Sequence, residues 1–269
     1  MRRLLKLELK KLTATKYFKV LSILWLIAFL TIPLVGGVSL AWMDNFVTEM
    51  DIKLKPSQLP IFDFVDIWQN LAYFYKCITI FICFSLVISM CNEYSYKTVR
   101  QNVIDGLSKK ELWLSKVALM LGLTTIATIG LLVLGLIVGF IFSPVVGPAY
   151  IFKNIEFVGA YFIHVFLFLS FCLFIANLIK RSGFAIALVL FYVYIVEFAL
   201  STYLRHEVNE HLANLLPIEA SWKLIHQPFT RYLLSACQDY VAWHEVVVAI
   251  VWIGIFQWGS YQLLAKRDL

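Results

Sequence analysis

A polar stretch, residues 92–111, is set between two long apolar runs and constrains this chain more than any other feature. Ile78 to Met90 before it is almost wholly apolar, and Leu112 to Phe142 after it is interrupted mainly by Lys116. The stretch carries Glu93, Lys97, Arg100, Asp105, Lys109, Lys110 and Glu111. So many charges cannot lie inside a bilayer, so the stretch must sit outside the hydrocarbon with a span on either side. Its apolar residues Val99, Val103, Ile104 and Leu107 recur at helical spacing, and Lys97, Arg100, Gln101 and Asp105 turn the other way. The pattern predicts a short amphipathic helix held at a membrane face, placed to pass force between the spans and a soluble partner.

Composition agrees. The 269 residues are 61% apolar and 15% charged, against about 25% charged in a soluble domain. A membrane-crossing helix needs about 20 apolar residues, and six runs supply them: Phe18–Trp42, Ala72–Met90, Leu112–Phe142, Phe157–Ile179, Gly183–Leu204 and Trp243–Leu264. The expected fold is all-α: a single polytopic domain over 1–269, with six transmembrane helices. With the N-terminus inside, sixteen of the 23 Lys and Arg fall on the cytoplasmic side. The other seven (Lys53, Lys55, Lys76, Lys153, Arg205, Lys223 and Arg231) fall outside. That asymmetry is the positive-inside pattern. It predicts a multi-pass protein of the cell (inner) membrane with both termini cytoplasmic, and it explains the net charge of +6 without nucleic acid. The first apolar run is too long for a cleaved signal and lacks a small-x-small site, so it reads as a retained anchor.

Residues 1–17 predict a basic interfacial helix, with Leu4, Leu5, Leu9 and Leu12 on one side and Arg2, Arg3, Lys6 and Lys10 opposite. Glu8 interrupts its apolar face. The loop 43–71 ends in Phe62, Phe64 and Trp68, rings expected at the membrane interface. The segment 205–242 is apolar but broken by Pro217 and Pro228, which predicts short re-entrant helices covered by the bundle. Gly135-x-x-x-Gly139 allows close helix approach, and Gln257 can bond across helices. Of five cysteines only Cys237 is expected outside, so no internal bridge is expected and the rest read as packing residues.

No phosphate-cradling G-x-x-x-x-G-K-[ST] occurs, so the chain has no ATP site of its own. His206 and His211 are five apart, one too many for a helical zinc pair, and no metal site is expected from His206 and Glu210 without a third ligand. Two ionisable residues lie within spans. Glu197 is about 21 Å from the inner start of the fifth span at 1.5 Å per residue, and His164 is about 10 Å from the outer start of the fourth. In a core about 30 Å thick these depths coincide. The expectation is that the two face each other, either locking the helices or lining a path.

Glu93, then Lys97-Thr98-Val99-Arg100, then Gly106-Leu107-Ser108-Lys109, with Leu112 and Leu114 leading to Lys116, resembles the loop of ABC type-2 permeases. That loop reads Glu, a few residues, Gly-Thr-hydrophobe-Arg, a turn with Ser-Arg, and Lys at the next span. The basic start, six spans, long outer segment and closing Lys266-Arg267-Asp268-Leu269 are also similar. Lys97 stands where the family has Gly, and Lys109 where it has Arg. The resemblance implies the membrane subunit of an ATP-driven exporter, paired with a second permease copy or a paralogue. A separate ATPase subunit, holding ATP and Mg, would dock on residues 92–110. Glu93, Tyr94, Lys97, Thr98, Arg100, Asp105, Gly106, Ser108 and Lys109 would form that docking surface, with Gly106 supplying a positive φ at the turn. Against this stand two other readings: a solvated loop on a membrane anchor or assembly factor, and a self-contained membrane enzyme using the outer His/Glu cluster.

Overall fold

A computed structural model of the protein describes residues 2–49, 61–228 and 238–266, with side chains described from residue 8 and not over 37–49. Lys53, Lys55, Arg231, Cys237 and Arg267, which entered the charge and cysteine arguments, lie outside the described residues. The described chain is helical, without strands. Six of its helical stretches are long and apolar enough to cross a membrane: Lys16–Gly36, Ile67–Ser95, Lys109–Phe142, Pro148–Ile179, Ser182–Val208 and Trp243–Ala265. The protein is an all-α polytopic membrane protein.

In chain order the helices are α1 (Arg2–Ala14), α2 (Lys16–Glu49), α3 (Ile67–Ser95), α4 (Thr98–Ile104), α5 (Lys109–Phe142), α6 (Pro148–Ile151) and α7 (Glu156–Ile179). Then come α8 (Ser182–Phe191), α9 (Glu197–Tyr203), α10 (Glu210–Ala213), α11 (Pro217–Lys223) and α12 (Trp243–Ala265). The fifth span is not one regular helix. π-helical turns at Tyr192–Val196 and Leu204–Val208 separate α8 from α9 and α9 from α10.

α7 is the central post. Two-thirds of its span is buried (67%) against 11% for the first span, because α3, α5 and α12 all pack on α7 while α2 lies at the edge. Phe157, Tyr161, Val165, Leu169, Cys172 and Ala176 have no exposed surface. A polar tie helps: Gln257 of α12 donates to the Ser170 hydroxyl of α7 at 2.8 Å, as the sequence suggested.

The end of the bundle that carries α4 is called here the loop end, and the opposite end the far end. At the far end, residues 61–68 fold inward. Phe62, Phe64 and Trp68 are buried (6%, 1% and 0% exposed) rather than spread at an interface. The reason is the glycine pair of α5. A Cβ on Gly135 would stand 2.5 Å from the Trp68 ring, and one on Gly139 would overlap the Phe64 ring. The two glycines thus form seats for aromatic rings, within one chain. Hydrogen bonds fix the rings' backbone and edges: Phe64 N–H to the Ser143 hydroxyl at 2.8 Å and Trp68 Nε1 to the Ile151 carbonyl at 2.7 Å.

Pro217 follows the break that the sequence predicts, the turn at 214–216 between α10 and α11. It occupies the first turn of α11, where a missing N–H costs nothing. Ile218, Ala220, Ser221, Leu224 and Ile225 are buried against the bundle (0–4% exposed), so this part of 205–242 is a short covered helix.

Candidate functional site

The loop-end site is built from α4 and its two turns. α3 ends at Ser95, and the chain reverses through Lys97, whose φ of 56° is left-handed. Side chains with a Cβ avoid that region at a cost of roughly 1–2 kcal/mol. The Thr98 hydroxyl donates to the Glu93 carbonyl at 3.2 Å and closes this turn. α4 then stops in a Schellman cap: Leu107 N–H reaches the Asn102 carbonyl and Gly106 N–H the Val103 carbonyl, with Gly106 at φ 96°. Nothing lies within 4 Å of where a Gly106 Cβ would be, so its requirement is conformational and not steric. Ser108 caps α5. Its hydroxyl accepts from Glu111 N–H at 3.2 Å and its N–H donates to the Glu111 carboxylate at 2.9 Å, a full capping box.

Several expected docking residues have inward duties. Tyr94 is half-buried, donates to Asn177 Oδ1 at 2.9 Å, and lies under the Lys180 ammonium. Lys109 donates to the Ala265 carbonyl at 2.9 Å, meeting one of the carbonyls that the last helix leaves unpaired at its C-terminus. Val99 is buried at 1% exposure and anchors α4. Ile104, expected on the same apolar face, is 67% exposed, and Tyr96 is 76% exposed. Lys97, Arg100, Gln101 and Asp105 are exposed beside them. Asp105 accepts from Gln101 Nε2 at 2.9 Å, and Arg100 has no ion pair among the described residues.

Under this surface lies a charged hub that the sequence reading missed. Lys116 of α5 is 3% exposed and pairs with Glu93 of α3 at 2.6 Å and with Glu8 of α1. Lys11 stands 3.4 Å from Glu8 and 3.8 Å from Glu93, half in water. Glu8 is 4% exposed and Glu93 6%. Burial raises the Glu8 carboxyl, but the Lys116 ammonium, aided by Lys11, outweighs it and holds the group below its ordinary value of 4.5. The residue that interrupted the apolar face of α1 is therefore its docking point. Glu93 joins this hub and makes no pair with Arg100.

The far end holds a second arrangement, and it corrects the expected His164–Glu197 contact. Both residues are buried (1% and 3% exposed), and no hydrogen bond or ion pair joins them among the described residues. Each turns to α11 instead. Glu197 Oε1 accepts from Ile218 N–H and Glu219 N–H, both at 2.6 Å, at the N-terminus of α11. His164 Nδ1 faces the Ser221 hydroxyl at 2.8 Å and its carbonyl at 3.1 Å. Lys76, 6% exposed, donates to the Ile225 carbonyl at 3.1 Å and the Trp222 carbonyl at 3.4 Å, at the C-terminal end. Its ammonium also lies 4.1 Å from the Tyr73 ring centre and 4.8 Å from that of Trp222. A carboxyl group at the N-terminus and an amine at the C-terminus thus meet the N–H and C=O groups that a helix leaves unpaired at its ends. The equal depth of His164 and Glu197 was readable. Their common partner was not, because it comes from a segment outside the spans.

Among the described residues no three His, Cys, Asp or Glu gather as a metal site. His206 lies exposed in the second π-turn, and His211 sits in α10, which Asn209 caps. Comparison with protein-family models gave no match, and comparison with curated proteins gave none either.

Proposed function

We propose that this chain is the membrane-spanning permease subunit of an ATP-driven ABC transporter, an exporter, driven by a separate ATPase that docks on residues 92–110. The observation that carries the reading is the two-sided construction of α4. Its outward face presents Ile104, and the turn before it presents Tyr96, large exposed side chains beside Lys97, Arg100 and Asp105. Its inward face is pinned by Val99, and the preceding turn is tied through Glu93 to Lys116 and so to α5 and α1. Large side chains exposed beside charges on a helix anchored from below support the docking reading over a simple tether. The left-handed Lys97 adds support to the family resemblance: it stands where the family has Gly, and a positive φ is the physical reason for Gly there. ATP and Mg belong to the partner, and a second copy or a paralogue completes the membrane part. In this reading the loop end faces the cytoplasm of the cell (inner) membrane, together with both termini.

The test is co-expression with a small P-loop ATPase encoded beside this chain. Ile104→Asp with Arg100→Glu alters the outward face and spares the hub. Recovery of the ATPase with the purified chain should fall at least tenfold, with insertion and thermal stability kept. Unchanged recovery and transport in that double variant would remove α4 as the docking element. Cysteines placed at Asn209 and Ser108 test the orientation: an impermeant thiol reagent should label the first in intact cells and not the second.

A further inference from the structure

A groove at the loop end, between the start of α5 and the second half of α12, is left open by the packing of the bundle. Its volume is about 440 Å³, within the range of about 300–1,000 Å³ usual for ligand sites. Lys110 and Trp113 of α5 line one side, and Gly254, Gln257, Trp258 and Tyr261 of α12 the other. Lys110 and Trp113 are three apart, and Gly254, Trp258 and Tyr261 follow at four and three, so each set shares one helix face.

Charge gives the groove its sign. Lys110 is the one charged residue in its lining. It is exposed, with no ion pair or side-chain hydrogen bond among the described residues. The nearest acid in sequence, Glu111, is held by the Ser108 N–H and hydroxyl in the cap of α5. Lys109 donates to the Ala265 carbonyl, and Lys266 stands exposed just past the end of α12. An anion is favoured at Lys110, and no carboxylate in the lining opposes it.

The walls give the class. Trp and Tyr side chains favour the headgroup level of a bilayer. Trp113 and Tyr261 meet edge to face with centres 5.6 Å apart, and Trp258 is 66% exposed beside them. Further along α12, Ile250, Val251 and Ile255 are exposed, an apolar surface suited to acyl chains. The groove thus runs from a free ammonium, past aromatic rings, to an apolar face. That is the polarity order of a phospholipid. Gly254 adds a second observation. A glycine inside a helix weakens it relative to alanine, and a Cβ here would meet nothing within 4 Å. Neither a close approach nor a positive φ asks for it, unlike Gly259, whose Cβ would stand 2.9 Å from the Phe174 ring. Its bare backbone keeps the groove open.

We propose that this groove holds one anionic phospholipid, with its phosphate at the Lys110 ammonium and its glycerol and upper acyl chains against Trp113, Gly254 and Trp258. The site needs only the chain and a bilayer, so it stands apart from the transport reading.

Native mass spectrometry of the full chain in dodecylmaltoside tests it, with equal dioleoylphosphatidylglycerol and dioleoylphosphatidylcholine offered. The first adduct should be phosphatidylglycerol, preferred at least fivefold. Lys110→Gln should bring that preference close to one. Gly254→Leu should cut the adduct at least fivefold with thermal stability kept, because the new side chain fills the groove and displaces nothing. Lys19→Gln, the same loss of charge at an exposed lysine near the start of α2, should change neither. A preference lost equally in Lys19→Gln would mean diffuse attraction and overturn the site, as would an adduct indifferent to Gly254→Leu. Displacement by equal glycerol phosphate would give the groove to a soluble anion and overturn the lipid. Lys110→Gln that keeps the lipid preference but lowers recovery of the ATPase would give it to the protein partner and overturn it too.

Discussion

The two ends of the bundle both bury charge, but they neutralise it differently. At the loop end, side chain meets side chain: Lys116, Glu8 and Glu93 come from three separate helices and converge with Lys11 on one point. At the far end, Glu197 and Lys76 each meet backbone, at opposite ends of α11. Backbone dipoles cannot exchange partners, so α11 is fixed to the bundle. The ties of the hub run between side chains, which, unlike backbone groups, are able to exchange partners among the four groups. The end that the proposed function asks to move is the end built of exchangeable pairs.

The largest expected effect tests that contrast at its centre. Lys116→Met leaves two buried carboxylates sharing only the half-exposed Lys11. Breaking a buried pair this way costs about 3–5 kcal/mol. Thermal unfolding should show that loss, and protease should cut α1 faster. Replacing all three groups, Lys116→Met with Glu8→Leu and Glu93→Leu, should recover most of the stability, since no charge is then stranded. If the triple variant is as stable as the parent but no longer couples to the proposed ATPase partner, the hub serves motion and not folding.

The far end should answer less strongly and more selectively. Glu197→Ala orphans two buried N–H groups of α11, at about 1–3 kcal/mol each at most. Glu197→Gln should cost under about 1 kcal/mol by the same reasoning, because an amide oxygen still accepts. Denaturation of the pair measures the gap. An equal loss in both variants would mean that the charge itself, through the helix dipole, holds α11. That would make the two ends alike.

Acid separates them further. Glu8 has a folded pKa held below its ordinary value, so its contribution is fully present above about 4.5 and is lost as pH falls through the lower folded value. Protease sensitivity of α1 should therefore rise in that acid window, and Glu8→Gln should abolish the dependence while leaving α1 looser at neutral pH.

The sequence was legible wherever the physics is local. Six apolar runs and Gly106 at a turn follow from near neighbours, and Gln257 was readable as a cross-helix donor though not its partner Ser170, whereas Gly135 and Gly139, expected to let helices approach, admit aromatic rings. What stayed hidden was set by partners far along the chain. Glu8 looked like a flaw on an amphipathic wheel, since its partner Lys116 is 108 residues away. Phe64 and Trp68 looked interfacial because their seats are on α5. Ile104 looked buried because a helical wheel cannot say how much of its face is covered. Covering α4 takes only Val99 and its half-buried neighbours, and the bundle ends there.

The smallest expected effect is the most discriminating. Lys97 holds a left-handed φ of 56° with an exposed side chain and no capping bond from it. Lys97→Gly removes a steric cost of roughly 1–2 kcal/mol, offset in part by about 0.5–1 kcal/mol of extra freedom in the unfolded chain. A net gain of up to about 1 kcal/mol in stability is expected from thermal denaturation. If Lys97 is only a strained link, coupling should be unchanged or improved along with stability. If its ammonium touches the ATPase, stability should rise while recovery of the ATPase falls. Opposite signs in one variant cannot come from a fault in folding, so that result would assign the Lys97 side chain to the docking surface and its backbone to the fold.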